Sequence, residues 1–229
     1  VLGRIPWGSN ATLLVNLYPD EEAARQRPEE PDMRGVYKPR QGERPLWDFP
    51  SGLDRREVAA YELSQALGWG IVPATVLRDD LPFGTGSLQA FVPFEPDEHY
   101  FTLLDEPGHH RALQTICCFD LVINQADRKG GHCLLGEDKQ VWAIDNGLSF
   151  HSDLKLRTVM WDFAGQPIPE DLRDDLAQLG AAETGLPAAL EPLLEPEEAQ
   201  ALARRARVVA EMDTFPHDPT GRRVPWPPV

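Results

Sequence analysis

The chain has 229 residues, of which 41% are hydrophobic and 26% are charged, a composition typical of a soluble globular protein with one sizeable core. Its formal net charge of −15 argues against nucleic-acid binding and against docking on anionic membranes, because both surfaces attract clusters of Lys and Arg. No apolar run approaches the length of a membrane-spanning helix, and three cysteines without a spacing pattern favour a reducing, cytoplasmic location with no stable membrane anchor.

The chain opens with a turn of small residues that leads into a predicted strand. Gly8-Ser9-Asn10 precede this strand, which covers residues 11–18. Backbone N–H groups of such a turn can hold phosphates, although an ordinary hairpin turn has the same composition. The next predicted strand, residues 35–39, carries Lys38, which either reaches phosphates as a point charge or is solvated like most strand lysines.

A helix is predicted for residues 53–68, with Asp54 as its N-cap. A helix glutamate that pairs with Lys38 would orient the lysine side chain, and Glu57 is the first choice with Glu62 in reserve. Both glutamates could instead be surface helix formers, and for Glu62 that interpretation is favoured.

Two strands and a second helix follow in the chain. The strands are predicted for residues 71–77 and 86–94, and a buried helix is predicted for residues 111–123. Asp120 on this helix either braces the following loop through hydrogen bonds or caps the chain locally.

The C-terminal part is predicted to be helical and to end in a proline-rich tail. Residues 197–212 form a strong helix that is acidic at its start and basic later, as the helix dipole favours. Its Arg204-Arg205-Ala206-Arg207 segment is either a substrate patch or a solvated face, and the second interpretation is favoured. The tail, residues 215–229, either packs on the body through Trp226 or is an extended polyproline segment for a partner.

Two aspartates lie on loops that each follow an apolar run. Asp127 follows residues 117–123, and Asp145 follows residues 141–144. In a phosphoryl-transfer site, one aspartate orients the attacking hydroxyl and another at a strand end holds the magnesium that bridges the phosphates. The spacing of 18 residues leaves room for a short hairpin between the loops. A lone aspartate-arginine pair is a weak signal, so the order of the upstream features decides the interpretation.

In that order, the segments resemble those of type II phosphatidylinositol 4-kinases, and resemble bacterial proteins of the phosphatidylinositol 3-/4-kinase-like family even more closely. The segments are Gly8-Ser9-Asn10, Glu57-Val58-Ala59-Ala60-Tyr61, Ile71-Val72-Pro73, Gly86-Ser87-Leu88-Gln89-Ala90-Phe91-Val92, Ala126-Asp127-Arg128 and Ala143-Ile144-Asp145-Asn146-Gly147-Leu148-Ser149-Phe150. The resemblance implies an α+β, two-lobed protein-kinase-like fold in a single domain. A β-rich nucleotide lobe would cover residues 1–92, and a mainly helical catalytic lobe would cover residues 93–229.

The resemblance also implies roles for individual residues. The implied nucleotide contacts are Ser9 and Asn10 over the phosphates, Lys38 at the α-phosphate, and Gln89, Phe91 and Val92 at the adenine. Glu57 would orient Lys38, Asp127 would be the catalytic-loop base, and Asp145 would hold the metal.

The chain departs from the family pattern at two places. His132 stands where the family has a metal-binding asparagine, and it could bind Mn²⁺, hydrogen-bond a phosphate or be solvated. The segment at residues 39–52 lacks the cysteines that carry palmitoyl groups in the type II lipid enzymes. It could fold over the phosphates with an arginine, or form a surface loop anchored by Leu46, Trp47 and Phe49.

Together these patterns favour an ATP-dependent kinase that uses Mg²⁺ or Mn²⁺ to transfer the γ-phosphoryl group to a hydroxyl. A protein Ser or Thr, including one of its own, is favoured over a lipid as acceptor because of the net charge and the missing cysteines. The alternatives are a nucleotide-binding pseudokinase that acts as a regulatory module, a phosphoinositide kinase, and an enzyme of the same fold that transfers AMP.

Overall fold

The first part of the chain forms an antiparallel sheet and the rest is mainly helical, which gives an α+β architecture. The computed structural model describes residues 1–4, 11–181 and 185–229. The strands of the sheet are β1 (Gly3–Arg4), β2 (Leu13–Leu17), β3 (Met33–Pro39), β4 (Thr75–Arg78) and β5 (Gly86–Ala90). Their order is β1-β2-β3-β5-β4, and every neighbouring pair is antiparallel.

The two later strands are shorter than the sequence predicts. The strand predicted for residues 71–77 is wrong over its first half, because the N–H groups of Ile71 and Val72 donate to the Ser64 hydroxyl at 2.9 and 3.3 Å. These two residues are buried in the helical core, and β4 begins only after them. The strand predicted for residues 86–94 forms, as β5, but stops earlier.

A short helix that the sequence analysis missed, α1 (Glu21–Gln26), connects β2 to β3. Asp20 caps its N-terminus by accepting a hydrogen bond from the N–H of Ala23 at 2.8 Å. With only six residues and no buried side chain, α1 has no apolar stripe that a periodicity search could detect.

The next helix, α2 (Leu53–Ala66), forms where it was predicted but begins differently. Asp54 is not its N-cap; Gly52 occupies that position with a φ of 94°. The side chain of Glu43 caps the helix from a distance, since it accepts hydrogen bonds from the N–H groups of Gly52 at 3.0 Å and of Asp54 at 3.3 Å. Asp54 is therefore free to form an ion pair with Arg40.

Within the described ranges, the helical part contains four further α-helices and a hairpin. They are α3 (Tyr100–Leu104), α4 (His110–Ile123), the hairpin β6 (Cys133–Leu135) and β7 (Val141–Ala143), α5 (Glu170–Gly180) and α6 (Pro196–Ala210). The hairpin separates the two aspartate loops, as their spacing predicted. Helix α4 is buried along most of its length, also as predicted. Among the helices in the described ranges, none is long and apolar enough to cross a bilayer.

Among the described residues, hydrophobic clusters of very different size support these elements. The sheet has a small core formed by Val15, Tyr37 and Leu88. A much larger core joins α2 to α4, α5 and α6, and it contains all three cysteines as free, buried thiols. Helix α2 therefore packs both on β4 and β5 of the sheet and in the core of the helical part.

The proline-rich tail packs on the body, but not through Trp226, whose side chain is exposed. Instead, the carbonyl of Arg223 accepts hydrogen bonds from the N–H of Thr158 and the indole of Trp161, both at 3.0 Å. The carbonyl of Pro228 accepts the N–H of Gly130 at 2.7 Å. The tail thus lies against the loop that carries Asp127.

The basic segment of α6 divides between two surroundings. Arg205 donates to the carbonyls of Val122 at 2.7 Å and His151 at 3.2 Å, so it braces the end of α4. Arg204 and Arg207 are exposed. The three arginines therefore do not form one continuous substrate patch.

Candidate active site

Lys38, on β3, lies between two carboxylates from distant parts of the chain. Its ammonium donates to Glu57 of α2 and, at 2.8 Å, to Oδ1 of Asp145 in the loop after β7. Burial by itself would lower the pKa of Lys38, but the charges of Asp145 and Glu57 outweigh burial and raise the pKa above its ordinary value. Lys38 is therefore a cation at neutral pH, and Glu57 rather than Glu62 is its helix partner.

Glu57 also contacts the backbone of the Asp145 loop. Its side chain is only 4% exposed, and its Oε2 accepts the N–H of Asn146 at 3.0 Å. The backbone of Asp145 has a φ of 58°, a left-handed conformation that costs a residue with a side chain about 1–2 kcal/mol. The hydrogen bond from Asn146 helps to hold this conformation, which turns the Asp145 carboxylate toward Lys38.

Asp145 is the open member of this ion-paired cluster, because half of its side chain is exposed. The charge of Lys38 is the main influence that holds the pKa of Asp145 well below its usual range. Asp145 is therefore an exposed carboxylate that stays ionised and can exchange its partner for an incoming cation.

A fully buried ion pair braces the two aspartate loops from behind. Arg128 and Asp120 are both inaccessible to solvent, and the guanidinium donates three hydrogen bonds of 2.9–3.2 Å to the carboxylate. Arg128 also donates to the carbonyl of Ile144 at 2.6 Å and to the side chain of Asn146 at 2.7 Å, on both sides of Asp145. Asp120 therefore braces the loop, the first of its two predicted roles. Burial raises the pKa of Asp120, and the charge of Arg128 opposes that shift.

Asp127 faces the same cleft from the first loop. Its N–H donates to Oε1 of the buried Gln125 at 3.1 Å, while Nε2 of Gln125 donates to the carbonyl of Asp145 at 3.2 Å. One glutamine side chain thus ties the two loops together. Burial raises the pKa of Asp127, and Lys129, whose ammonium lies 3.2 Å from Oδ2, opposes this shift.

The cleft in which these groups meet has a volume of about 600 Å³ and a strongly acidic lining. Five of its side chains are carboxylates: Glu43, Asp54, Glu57, Asp127 and Asp145. Among the described residues that line it, Lys38 has the only cationic side chain. A highly charged anion such as a nucleotide would be repelled here unless cations accompanied it.

The donor set suits a divalent cation that is shared with a phosphate ligand. Among the described residues, no three His, Cys, Asp or Glu side chains come close enough to hold a metal by themselves. Mg²⁺ often binds one or two carboxylates together with substrate phosphates, instead of an all-protein cage. The exposed, ionised Asp145 fits that kind of binding.

His132 lies beside Asp145, but its hydrogen bonds favour donation to the carboxylate. Its Nδ1 is 3.4 Å from the N–H of Lys129, a group that can only donate, and its Nε2 is 3.5 Å from Oδ2 of Asp145. Burial lowers the pKa of His132 to about 4, so the ring is neutral at pH 7, with its proton on Nε2. A metal at Nε2 would require the other tautomer, and the metal role of His132 stays a prediction.

The residues predicted to contact the nucleotide base lie on β5 and just beyond it. Gln89 is buried, and its amide donates to the threonine hydroxyl of β4 at 2.9 Å. The N–H of Phe91 donates to a carbonyl of β3, and Val92 is half-buried. Their role at an adenine stays a prediction. Ser9 and Asn10, predicted over the phosphates, lie outside the described residues.

Of the three residues expected to anchor the loop at residues 39–52, one does so. Phe49 is buried and packs in a cluster with Leu53 and Ala126. Leu46 is exposed, and Trp47 is 95% exposed. The buried phenylalanine therefore fixes the loop close to Asp127, and the tryptophan points outward.

The chain has a curated relative that covers nearly its whole length. No protein-family model matches the chain. Protein Rv2133c of Mycobacterium tuberculosis (strain ATCC 25618 / H37Rv) is 38% identical over an alignment of 262 residues. The alignment covers 99% of this chain and 91% of that protein. The chain belongs to the family of Rv2133c. A solved structure of hydra Fam20 with sugar is 16% identical, with a TM-score of 0.49 over 77% of this chain and 76% of that one. This likeness is too distant to decide an activity or a substrate.

Three polar residues of the site were missed by the sequence analysis. Gln125 and Asn146 connect the two loops, and Arg56 fixes α2 by donating to Glu198 of α6 while its guanidinium lies 5.3 Å from the ring centre of Phe49. All three are almost completely buried. Polar residues in loops and helices are usually solvated, so only their burial in the fold reveals that they hold the site together.

Proposed function

We propose that this protein is an ATP-dependent phosphotransferase of the protein-kinase-like type, which transfers the γ-phosphoryl group to a hydroxyl. One observation carries the proposal: Lys38 pairs with both Glu57 and Asp145 at a cleft that Asp127 also lines. A strand lysine, a helix glutamate and two loop aspartates are the set that phosphoryl-transfer sites use to position phosphates, metal and acceptor.

Lys38 would position the phosphates, and Glu57 would keep its ammonium in place. The raised pKa of Lys38 suits a fixed positive charge and excludes a role as general base at neutral pH. A nucleotide phosphate would replace Asp145 as one partner of Lys38, while Glu57, which is buried and also bonded to Asn146, would remain.

Asp145 would hold the divalent cation, through the carboxylate oxygens that now face Lys38 and His132. A bound cation would neutralise charge that accumulates on the β- and γ-phosphate oxygens. The acidic lining of the cleft supports this requirement, since without a cation the five carboxylates would oppose the nucleotide.

Asp127 would accept the hydrogen bond of the acceptor hydroxyl and orient its oxygen. The hydroxyl oxygen would bond to the γ-phosphorus as the bond to the β,γ-bridging oxygen breaks, ADP would leave, and the hydroxyl proton would pass to Asp127. The hydrogen bonds through Gln125 keep Asp127 at a fixed place relative to Asp145. A protein Ser or Thr is favoured over a lipid as acceptor because of the net charge of −15.

Calorimetric titration of ATP, without metal and with Mg²⁺ or Mn²⁺, tests the proposal. We expect metal-dependent binding that is lost in Lys38→Ala and in Asp145→Asn, since each change removes a charge that the nucleotide or its cation needs. Lys139→Ala is the matched control, because Lys139 is an exposed lysine paired with Glu95 on the surface, and it should bind ATP normally.

Transfer is then followed with ATP labelled at either the γ- or the α-phosphate. Label from the γ-phosphate alone in the product indicates a kinase, and label from the α-phosphate indicates AMP transfer. Asp145→Asn should reduce transfer at least about a hundredfold while the protein stays folded. Full transfer by that variant would contradict the site assignment.

A nucleotide-binding pseudokinase is the second candidate, and His132 favours it. Its neutral ring faces Asp145 at the position where the resembled family has a metal-binding asparagine. If the protein binds ATP but transfers phosphate neither to itself nor to a panel of protein acceptors, this candidate is favoured over the first.

A further inference from the structure

An open groove with a basic lining lies beside the loop that carries Asp127. Its volume is about 920 Å³, and it is lined by residues 154–157, by Asp48 and by residues of the C-terminal tail. Four of the eight lining residues are cationic: Lys155, Arg157, Arg222 and Arg223. On a protein with a net charge of −15, this is a local reversal of sign.

The positive charge of the groove is largely free. Among the described residues, no carboxylate forms an ion pair with Arg157, Arg222 or Arg223, and Lys155 lies at a long 4.0 Å from Asp48. The nearby Asp218 is engaged by backbone, since it accepts hydrogen bonds from the N–H groups of Thr220 and Arg223, both at 2.8 Å. The groove can therefore attract an anionic ligand that the acidic cleft would repel.

The groove is connected directly to the loop of Asp127. Arg157 Nε donates to the carbonyl of Ala126 at 3.0 Å. Its backbone N–H donates to Gln125 at 2.9 Å, and its carbonyl accepts the N–H of Arg128 at 3.0 Å. Burial raises the pKa of Asp127, and Arg157 opposes this shift with a smaller effect than that of Lys129. A ligand in the groove would thus lie next to Asp127.

Large apolar side chains that line the groove, or are next to its lining residues in the chain, are exposed. Leu154 is 60% exposed, and the residues next to Asp48 and Arg223, namely Trp47 and Val224, are exposed as well. Tryptophan and arginine are enriched at the centres of protein interfaces, whereas a small molecule favours an enclosed pocket. The wide opening and its large apolar neighbours therefore suit a protein segment better than a small anion.

We propose that this groove binds an acidic segment of a protein acceptor and places a Ser or Thr of that segment at Asp127. The proposal rests on the proposed phosphotransferase function and names the acceptor class of the same site. The carboxylates of the segment would pair with Arg157, Arg222 and Arg223, and its apolar side chains would cover Leu154.

Fluorescence anisotropy measures peptide binding to the groove and does not require phosphate transfer. The probe is a labelled peptide with one Ser flanked by glutamates, and the same peptide with lysines in place of the glutamates is its counterpart. The variant is Arg222→Glu/Arg223→Glu, because the bonds that hold the tail in place here use the backbone of Arg223 and not its side chain. The matched control is Arg34→Glu/Arg204→Glu, two exposed arginines outside the groove.

We expect the acidic peptide to bind the wild type, and to bind the groove variant about tenfold more weakly, as for two or three surface charge pairs. The control variant should bind it as the wild type does, and the lysine peptide should bind the groove variant no more weakly than the wild type, because the groove does not hold it. Equal binding by the two double variants would overturn the proposal. So would binding to vesicles that contain phosphatidylserine, lost in the groove variant, with no binding of the peptide.

Titration of ATP into the same samples separates this proposal from the proposed function. Both double variants should bind ATP like the wild type, because neither changes a residue of the cleft. If the protein binds the peptide through the groove but binds no ATP, the proposed transfer reaction is ruled out. The groove then remains a protein-binding surface.

Discussion

Two ion pairs at the site, Asp120–Arg128 and Lys38–Asp145, have the same charges but very different exposure. In the first, neither side chain is accessible to solvent. In the second, 22% of the Lys38 side chain and 50% of the Asp145 side chain are exposed. Arg128 of the buried pair also donates to the carbonyl of Ile144 and to the side chain of Asn146, whereas the open pair contacts the side chains of Glu57 and His132.

The difference in solvent exposure gives the two ion pairs different roles in the same site. A buried pair cannot exchange partners without leaving an uncompensated charge in a medium of low dielectric constant, so it fixes the loops. An open pair loses little when water or a ligand replaces one partner. The exposed pair is therefore where the proposed function would place a nucleotide and its cation, and the buried pair keeps the exposed one in position.

The largest expected effect follows from breaking the buried pair. Arg128→Ala leaves Asp120 buried without its cation and removes the bonds to Ile144 and Asn146, so we expect a loss of about 3–5 kcal/mol in the free energy of unfolding. Denaturant unfolding followed by circular dichroism measures it.

Arg128→Lys is the companion variant, because it keeps the charge but not the planar fork that bonds Asp120 and Asn146 together. Its free energy of unfolding should lie between those of the wild type and Arg128→Ala. A stability of Arg128→Ala equal to that of the wild type would show that this pair does not hold the loops.

A smaller effect is expected from His132 as the pH falls. Burial lowers its pKa to about 4 in the folded protein, from an ordinary value of 6.5, so between pH 6.5 and pH 4 the unfolded chain binds a proton that the folded protein does not. The stability that depends on neutral His132 is complete above pH 6.5 and is lost as the pH falls toward 4. The loss reaches at most about 3 kcal/mol.

The groups that face His132 are Asp145, Arg128, Lys38 and Lys129, and all contribute to its pKa. Unfolding of metal-free protein between pH 7 and about pH 4, compared with His132→Asn, isolates the effect. The variant should have the flatter pH profile. Identical profiles would mean that the imidazole of His132 is protonated equally in both states.

The smallest effect on stability is expected from the open pair. Asp145→Asn should change the free energy of unfolding by no more than about 1 kcal/mol, because the carboxylate is half exposed and its pairing is screened by water. Thermal unfolding of the samples used for the calorimetric titration measures this change in stability. A destabilisation as large as that of Arg128→Ala would remove the distinction between the two pairs.

The sequence predicted the elements around the site better than the contacts within it. Lys38 on a strand, Glu57 on a helix and the hairpin between Asp127 and Asp145 follow from local patterns, and each element is present. The cap of α2 was predicted wrongly, because Glu43 is ten residues upstream of the helix and no local rule connects them. One of the two predictions for the tail was that it packs through Trp226, yet its backbone carbonyls make the contacts.

The sequence by itself determined which residues can carry charge and which segments form helices and strands, because both depend on side-chain chemistry and on local periodicity. Only the tertiary structure decided which charges are buried and which stay open. Burial depends on how distant segments pack, and it turned Arg128 and Asp120 into a brace while it left Asp145 accessible. The same packing collected four cations from two distant segments into one groove on an acidic protein.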